Sequence, residues 1–381
     1  MNILIDIAHP AHVHLLRNFY YVMTRKGHKV VVTCKHIPAA MQLLDLYHIP
    51  YIYLGEKKDS ILLKALEQLK YNLMLLRIAR QEECSIAIGT SITLAHVGML
   101  SRMSILRNSI RTILLDDDDD EVEPLYAKYG HPFADVVLSP QGTPRVTPKV
   151  IYYPAYHELA YLHPNRFTPD SSVLDEAGIQ YEKDENGCVV NVEPYFVMRF
   201  NAFKAHHDVG VVGLTIENKR RMVDVLSKYG KVFITTERNI DDEFLQYQLK
   251  VSQDKVHSLL YYSTMFVGDS QTMTSEAAVL GTPSIRCNTF VGRIHYLEEE
   301  EHRYNLTYGF RPDDSEEMFK RVNELLAMGP TALKAEWARR RKVLLNDKID
   351  YTAFQCWFIE NYPASAEETR KADTEFWERF R

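Results

Sequence analysis

Short apolar runs rich in valine and isoleucine alternate with longer amphipathic stretches along most of the chain. The clearest of these runs, each with the length and composition of a strand buried on both faces, are NILIDI (2–7), KVVVTC (29–34), SIAIGT (85–90) and RTILLD (111–116). Parallel strands need a crossover between them, and a helix usually provides it. The regular alternation therefore predicts an α/β fold built on parallel, doubly wound sheets.

The alternation occurs twice, with an interruption between the two series. From 163 to 190 it gives way to stretches rich in Pro, Asp, Gly and Ser, and YFVMRF (195–200) starts the second series. A chain of 381 residues is long enough for two such cores. The predicted parts are an N-terminal Rossmann-like domain at 1–165, a linker at 166–190, a C-terminal Rossmann-like domain at 191–348 and helices at 349–381 that pack back on the first domain.

Composition and charge exclude several classes of protein. The formal net charge is -6 at pH 7, so the chain has no general basic field for nucleic acid. Five cysteines, an odd number without CxxC spacing, predict reduced thiols in a cytoplasmic protein. The first residues begin a strand rather than a signal peptide, and no apolar stretch reaches the roughly 18 residues of a membrane-spanning helix. A peripheral membrane contact through the amphipathic stretch 60–80 and a homodimer are left open.

The segment VGDSQTMTSEAAVLGTPSIR (267–286) places many hydroxyl and amide side chains where a strand turns into a helix. Free backbone N–H groups and the helix dipole at such a turn attract phosphate, and the hydroxyls of Ser270, Thr272 and Thr274 add side-chain donors. A carboxylate at Glu276 is placed to accept two hydrogen bonds from a ribose diol. An ordinary N-cap with Glu276 in a capping box explains the same residues equally well.

Three histidines follow the first predicted strand in DIAHPAHVH (6–14). Histidine titrates near neutrality and suits a general base that removes a proton from an acceptor hydroxyl. His12 and, secondarily, His9 are the candidates, because ligands of such sheets sit beyond the carboxyl ends of the strands. His14, about 200° further round a helix than His12, is expected to face elsewhere. Bonds to nearby backbone, or a zinc site, are the alternative interpretations.

Other strand ends carry further candidates. Arg199 is placed to pair with a phosphate, and Thr90 follows the fourth strand. The acidic run LLDDDDDEVE (114–123) is interpreted mainly as a solvated loop that caps the next helix, without a metal ion. Asp117, near the strand end, is the member of that run expected to line the acceptor side as a catalytic candidate.

The segment GDSQTMTSEAAVLGTPSIR resembles the nucleotide-binding segment of the GT-B superfamily. It is similar to the donor sites of non-hydrolysing UDP-N-acetylglucosamine 2-epimerases and of lipid-linked N-acetylglucosaminyltransferases. In those families a Ser/Gly turn holds the diphosphate, a following Glu binds the ribose, and the loop after the next strand touches the sugar. The resemblance assigns nucleotide binding to Gly268, Ser270, Gln271, Thr272, Glu276 and Arg286.

Together with DIAHPAHVHLLRN (6–18) and RFNAFKAHHDVG (199–210), this segment makes the chain resemble an uncharacterised prokaryotic family, domain of unknown function 354. The resemblance implies a GT-B-like fold, with two Rossmann-like domains facing across a cleft. It also implies a glycosyltransferase of cell-surface polysaccharide or glycolipid synthesis. The implied substrates are a nucleotide-diphosphate sugar, specifically a UDP-sugar, and a carbohydrate or lipid-linked acceptor, and the resemblance implies that no cofactor is required.

Two departures from the epimerase pattern keep other functions open. Epimerases carry a glycine pair where this chain has Gln271 and Thr272, and an Arg-Pro-Glu type loop where it has AHPAHVH. An epimerase, with Asp117 and His207 as its acid/base pair, is therefore the alternative enzyme. The second alternative is a non-catalytic GT-B protein that binds a nucleotide or a protein partner.

Overall fold

The computed structural model describes residues 1–55, 61–103, 109–200, 213–236 and 241–381. The chain forms two compact units. Unit 1 consists of Met1–Arg166 and Lys348–Arg381, and unit 2 of Phe167–Asp347. Each unit is built around its own parallel sheet, which confirms the predicted α/β class.

Unit 1 contains a seven-stranded sheet in which every described pairing is parallel. Its strands are β1 (Asn2–Ile7), β2 (Lys29–Cys34), β3 (Ile52–Tyr53), β4 (Ile86–Gly89), β5 (Arg111–Leu115), β6 (Val136–Pro140) and β7 (Val150–Tyr153). The spatial order is β3-β2-β1-β4-β5-β6-β7, so the chain reverses its direction of winding between β1 and β4. Such a switch point opens a crevice at the carboxyl ends of the strands, where ligands of this fold bind.

The helices of unit 1 that precede residue 167 cover the two faces of this sheet. They are α1 (Pro10–Arg25), α2 (Pro38–Leu46), α3 (Ile61–Gln81), α4 (Ile92–Met103), α5 (Pro124–Tyr129) and α6 (Leu159–Leu162). Leu4 on β1, Leu75 on α3 and Leu94 on α4 are fully buried members of one apolar cluster. Because both faces of the sheet bury branched apolar side chains, the strand sequences are nearly continuous apolar runs.

Unit 2 contains a five-stranded parallel sheet in the order β11-β10-β12-β13-β14, and a small antiparallel pair, β8-β9. The strands are β8 (Glu182–Lys183), β9 (Val189–Val190), β10 (Tyr195–Phe200), β11 (Lys231–Thr236), β12 (Met265–Gly268), β13 (Ser284–Cys287) and β14 (Thr307–Phe310). The helices are α7 (Ser172–Glu176), α8 (Ile216–Leu226), α9 (Val256–Tyr262), α10 (Gln271–Leu280), α11 (His295–His302), α12 (Ser315–Ala327) and α13 (Pro330–Asp347). The segment predicted as a linker contributes α7, β8 and β9. It also bonds to the rest of unit 2, since the Asp170 N–H donates to the Ser258 hydroxyl at 3.0 Å.

The C-terminal segment belongs to unit 1 and forms α14 (Tyr351–Glu360), α15 (Ala364–Arg370) and α16 (Thr374–Glu378). Helix α14 packs against α1 and α6. Phe354 and Trp357 on α14 form an aromatic cluster with Trp377 and Phe380. None of the described helices is long and apolar enough to cross a membrane.

Candidate functional site

In unit 2, three candidate residues lie side by side at the carboxyl ends of neighbouring strands. The register pairs Arg199 of β10 with Gly268 of β12, and Gly268 with Arg286 of β13. The Arg199 guanidinium donates through Nη1 to the Thr235 hydroxyl at 3.1 Å. The start of α10, which follows β12 directly, therefore lies beside Arg199 at the ligand-binding end of the sheet.

Gly268 is required by the close approach of β10. A Cβ atom at this position would lie 2.6 Å from the Arg199 carbonyl oxygen, which is closer than side-chain contacts allow. The Asp269 N–H donates to the same carbonyl oxygen at 3.2 Å. The glycine thus lets the turn of the candidate nucleotide site pack directly against its neighbouring strand.

We expect Gly268→Ala to destabilise the protein by about 1–3 kcal/mol, the usual cost of overpacking a tightly packed interior. The added methyl group must push β12 away from β10 and so displace the start of α10. Urea unfolding followed by circular dichroism measures the loss. A Gly268→Ala midpoint equal to that of the unmodified protein contradicts the expectation.

Ser270 is the N-cap of α10. Its hydroxyl accepts a hydrogen bond from the Met273 N–H at 3.3 Å, and the Thr274 hydroxyl donates to the Ser270 carbonyl at 2.6 Å. Ser270 is buried, whereas Gln271 and Thr272 are half-buried. The N-cap interpretation therefore holds for Ser270. Gln271 and Thr272 are the accessible members of the predicted phosphate-binding group.

Glu276 is buried and does not complete a capping box. Its Oε1 lies 2.9 Å from Nε2 of His257, a buried residue of α9. Glu276 is about 5% exposed, and this pairing fixes the orientation of its carboxylate. Sequence reasoning missed His257, since nothing in the spacing of 19 residues links the two side chains.

Arg286 lies entirely below the surface. Its Nη2 donates to Oε1 of Glu298 at 3.2 Å, and the same oxygen accepts the Gly292 N–H at 2.9 Å. Burial lowers the pKa of Arg286, and the carboxylates of Glu298 and Glu301 oppose this. Through Glu298, Arg286 holds the loop that follows β13. His207 and the rest of the loop after β10 lie outside the described residues.

In unit 1, His12 lies in the first turn of α1, directly after β1. The Thr90 hydroxyl lies 2.8 Å from each of its ring nitrogens, and the Ala8 N–H donates to Nδ1 at 3.3 Å. His9 is the exposed N-cap of α1, and its ring centroid lies 5.7 Å from that of His12. His14 points elsewhere, toward the Tyr47 hydroxyl at 3.2 Å. The structure thus brings His9, His12 and Thr90 together.

Asp117 follows β5 and pairs with a histidine that sequence reasoning missed. Its Oδ2 lies 2.9 Å from Nδ1 of His157, in the loop after β7. Burial alone would raise the pKa of Asp117, but the charge and hydrogen bond of His157 outweigh it and lower the pKa. Burial, together with the His9 and His157 imidazoles, lowers the pKa of His12 well below the usual histidine value, and Asp117 opposes this. The sequence offered one signal for His157: it follows the end of a strand, β7, where ligands of such sheets bind.

The acidic run is not the solvated, helix-capping loop that was predicted. Arg145 pairs through Nη1 with Asp116 at 3.0 Å and with Asp120 at 2.8 Å, and its side chain is fully buried. Asp116 also pairs with Nε2 of the buried His131 at 2.7 Å. Helix α5 has no side-chain cap. Buried carboxylates need a partner, and these find a cation from a segment some 25 residues later, which composition does not reveal.

Asp116, Asp120 and His131 are close enough together to hold a metal ion. The Arg145 guanidinium, however, already neutralises both carboxylates at hydrogen-bonding distance. A cation at the same place would have to displace it. We therefore interpret this cluster as a structural ion-pair network.

A search of solved structures finds proteins of the same architecture. The UDP co-structure of S. aureus MnaA has a TM-score of 0.63 at 11% identity, covering 96% of this chain and 98% of that one. UDP-GlcNAc 2-epimerase from Neisseria meningitidis bound to UDP-GlcNAc has a TM-score of 0.58 at 11% identity, covering 91% and 99%. Spinosyn rhamnosyltransferase SpnG complexed with thymidine diphosphate has a TM-score of 0.57 at 11% identity, covering 94% and 100%. A search of curated protein sequences finds no match.

At this level of identity the likeness shows the fold alone, and it confirms the predicted GT-B-like class with two Rossmann-like domains. A family model described as "Protein of unknown function (DUF354)" matches residues 1–307. That match covers most of the 381 residues and confirms the resemblance inferred from the motifs. The chain therefore belongs to the DUF354 family.

Proposed function

We propose that this protein is a glycosyltransferase that uses a nucleotide-diphosphate sugar, specifically a UDP-sugar, in cell-surface polysaccharide or glycolipid synthesis. The observation that carries the proposal is the start of α10. It combines the accessible Gln271 and Thr272 with a carboxylate, Glu276, held by His257. Structural neighbours complexed with UDP, UDP-GlcNAc and thymidine diphosphate support the choice of ligand class.

In this proposal unit 2 holds the donor. The diphosphate lies at the start of α10, where free N–H groups and the helix dipole stabilise negative charge. Arg199, beside this turn, adds a positive charge. Glu276 accepts hydrogen bonds from the ribose hydroxyls. These groups stabilise the departing UDP as charge develops on its terminal phosphate, so no cofactor or metal ion is needed.

Unit 1 supplies the base. Neutral His12 takes the proton of an acceptor hydroxyl while the oxygen of that group attacks the anomeric carbon of the sugar. The bond from the anomeric carbon to the diphosphate oxygen breaks, and its electron pair leaves with UDP. The acceptor is a carbohydrate or a lipid-linked saccharide. Asp117, paired with His157, lies near His12 and raises its affinity for the proton.

Isothermal titration with UDP tests the donor site. We expect Glu276→Ala to weaken UDP binding by about 10- to 100-fold, because hydrogen bonds to a charged group contribute about 1.5–3 kcal/mol. Ser275→Ala is the matched control, since Ser275 occupies the preceding position and donates to Glu300 at 2.6 Å instead. Equal affinity of Glu276→Ala and Ser275→Ala, or no binding of any nucleotide diphosphate, contradicts the proposal.

Incubation with UDP-GlcNAc in deuterated water separates the transferase from an epimerase. An epimerase exchanges the C2 hydrogen of the sugar without an acceptor, whereas a transferase leaves it in place. Release of UDP only in the presence of an acceptor supports the transferase. Tight binding without exchange or turnover supports a non-catalytic binding protein.

A further inference from the structure

The loop that carries His157 is enclosed by the C-terminal segment. The Ile349 N–H donates to the Pro154 carbonyl at 3.1 Å, so the chain runs beside this loop just before α14 begins. Asp350 caps α14 by accepting the Ala353 N–H at 3.0 Å, and it also pairs with Arg166 at 2.7 Å. These bonds fix the position of Tyr351, the first residue of α14.

Tyr351 is the middle ring of a three-ring stack. Its ring lies parallel to that of His157, with an angle of 9° and a centroid distance of 5.7 Å. It also stacks on the ring of Tyr153, with a centroid distance of 4.2 Å and an angle of 16°. Both tyrosines are fully buried. The stack therefore restricts rotation of the imidazole about its side-chain bonds, because a rotated ring would collide with a neighbour that cannot move.

The contact between Tyr351 and His157 is ring to ring. The Tyr351 hydroxyl is oriented toward Tyr153 and Gln355. The ring of His157 is held on its edge by Asp117, through Nδ1 at 2.9 Å, and on its face by Tyr351. Because the His157 ring is held on one face and on one edge, Nδ1 is the nitrogen that meets the Asp117 carboxylate.

We propose that Tyr351 is a positioning residue: its ring holds the His157 imidazole against Asp117 and so sets the arrangement of charged groups around His12 without touching it. This inference rests on the proposed function in one respect only, namely that His12 is the base of a transfer reaction. Tyr351 lies outside residues 1–307, the part of the chain that the family model matches. The C-terminal segment is thus assigned a part in the site as well as in folding.

The direction of the effect follows from the charges around His12. The titratable groups that act on it are His9 at the start of α1, Asp117 after β5 and His157 after β7, while Arg145 acts on Asp117. When His157 is held in place, it offsets the effect of the Asp117 carboxylate on the pKa of His12. If His157 turns away, the carboxylate attracts the His12 proton more strongly and the repulsion from His157 weakens. Both changes raise the pKa of His12.

Histidine-labelled full-length protein, studied by 15N NMR across a pH series, tests this inference. We expect Tyr351→Leu to raise the pKa of His12 toward the usual histidine value and to remove the Nδ1-protonated signature of His157. Tyr351→Phe, which keeps the ring, is expected to match the unmodified protein in both respects. His12→Gln and His157→Gln assign the two resonances.

An unchanged pKa of His12 and an unchanged Nδ1 signature of His157 in Tyr351→Leu, alongside reduced stability, would show a purely structural role and overturn the inference. A Tyr351→Phe effect as large as that of Tyr351→Leu would overturn the assignment to ring stacking. Should Tyr351→Leu not fold, Tyr153→Leu removes the other ring that stacks on Tyr351 and must shift the pKa of His12 in the same direction. No nucleotide or acceptor is present, so the outcome does not depend on whether the protein proves to be a transferase.

Discussion

His12→Gln is expected to reduce kcat of the proposed transfer by about 10²–10⁴-fold, the usual contribution of a general base. Glutamine fills a similar space but cannot take the proton of the acceptor hydroxyl. UDP affinity should stay unchanged, because the residues proposed to hold the nucleotide belong to unit 2. A coupled assay of UDP release measures kcat, and calorimetry measures UDP binding.

His14→Gln is the matched control for this substitution. His14 lies two residues further along α1, is buried, and meets the Tyr47 hydroxyl rather than Thr90. Burial and the neighbouring imidazoles lower the pKa of His12, so it stays neutral at pH values where an ordinary histidine is protonated. The acidic limb of the kcat profile should therefore lie below pH 6.5, the usual histidine pKa. Equal kcat values for His12→Gln and His14→Gln would remove His12 as the base.

Arg145→Met is expected to destabilise the protein by about 3–5 kcal/mol, since it leaves the buried charges of Asp116 and Asp120 without their cation. Methionine occupies much of the space of the arginine stem, so lost packing contributes little. Urea unfolding at neutral pH measures the loss. Arg111→Met is the control, because Arg111 makes a half-exposed pair with Asp135 at 3.0 Å, and such pairs contribute only about 0–1 kcal/mol.

The loss in Arg145→Met should shrink as the pH falls. Burial raises the pKa of Asp116 above its usual value, while His131 and Arg145 oppose the rise. Without Arg145 the pKa rises further, so folding takes up a proton at acidic pH and the charge penalty disappears. Stability of the variant, relative to the unmodified protein, therefore falls as the pH rises through that pKa. A loss that is small, or independent of pH, would mean that Arg145 does not neutralise this cluster.

Much of the fold follows from local sequence patterns. NILIDI and YFVMRF form β1 and β10 over the same residues that were predicted, because buried strands have an unmistakable apolar composition. Four strands escaped prediction: β7, β14 and the short pair β8-β9. Strands β7 and β14 are edge strands of four residues, and half-buried edge positions carry a weaker pattern. Strands β8 and β9 have only two residues each, too few for a pattern.

The candidate site was predictable only in part. The rule that ligands bind beyond strand ends located His12, Thr90, Asp117 and Ser270. It did not reveal that Asp117 meets His157, or that Glu276 meets His257. Nor did it indicate that Arg286 is buried against Glu298. These pairings join different strand ends and helices, so no spacing along the chain encodes them.

The order of apolar and polar residues by itself determined the two parallel sheets, because hydrophobic periodicity reports directly which faces must be buried. It also placed polar side chains at the ends of β1, β5 and β12. Only the tertiary structure decided which of these side chains are held, and by what. Five consecutive aspartates are alike in sequence, yet Asp116 meets Arg145 and Asp117 meets His157. Such partners are chosen by packing between distant segments, where a buried charge is stable only beside its counter-charge.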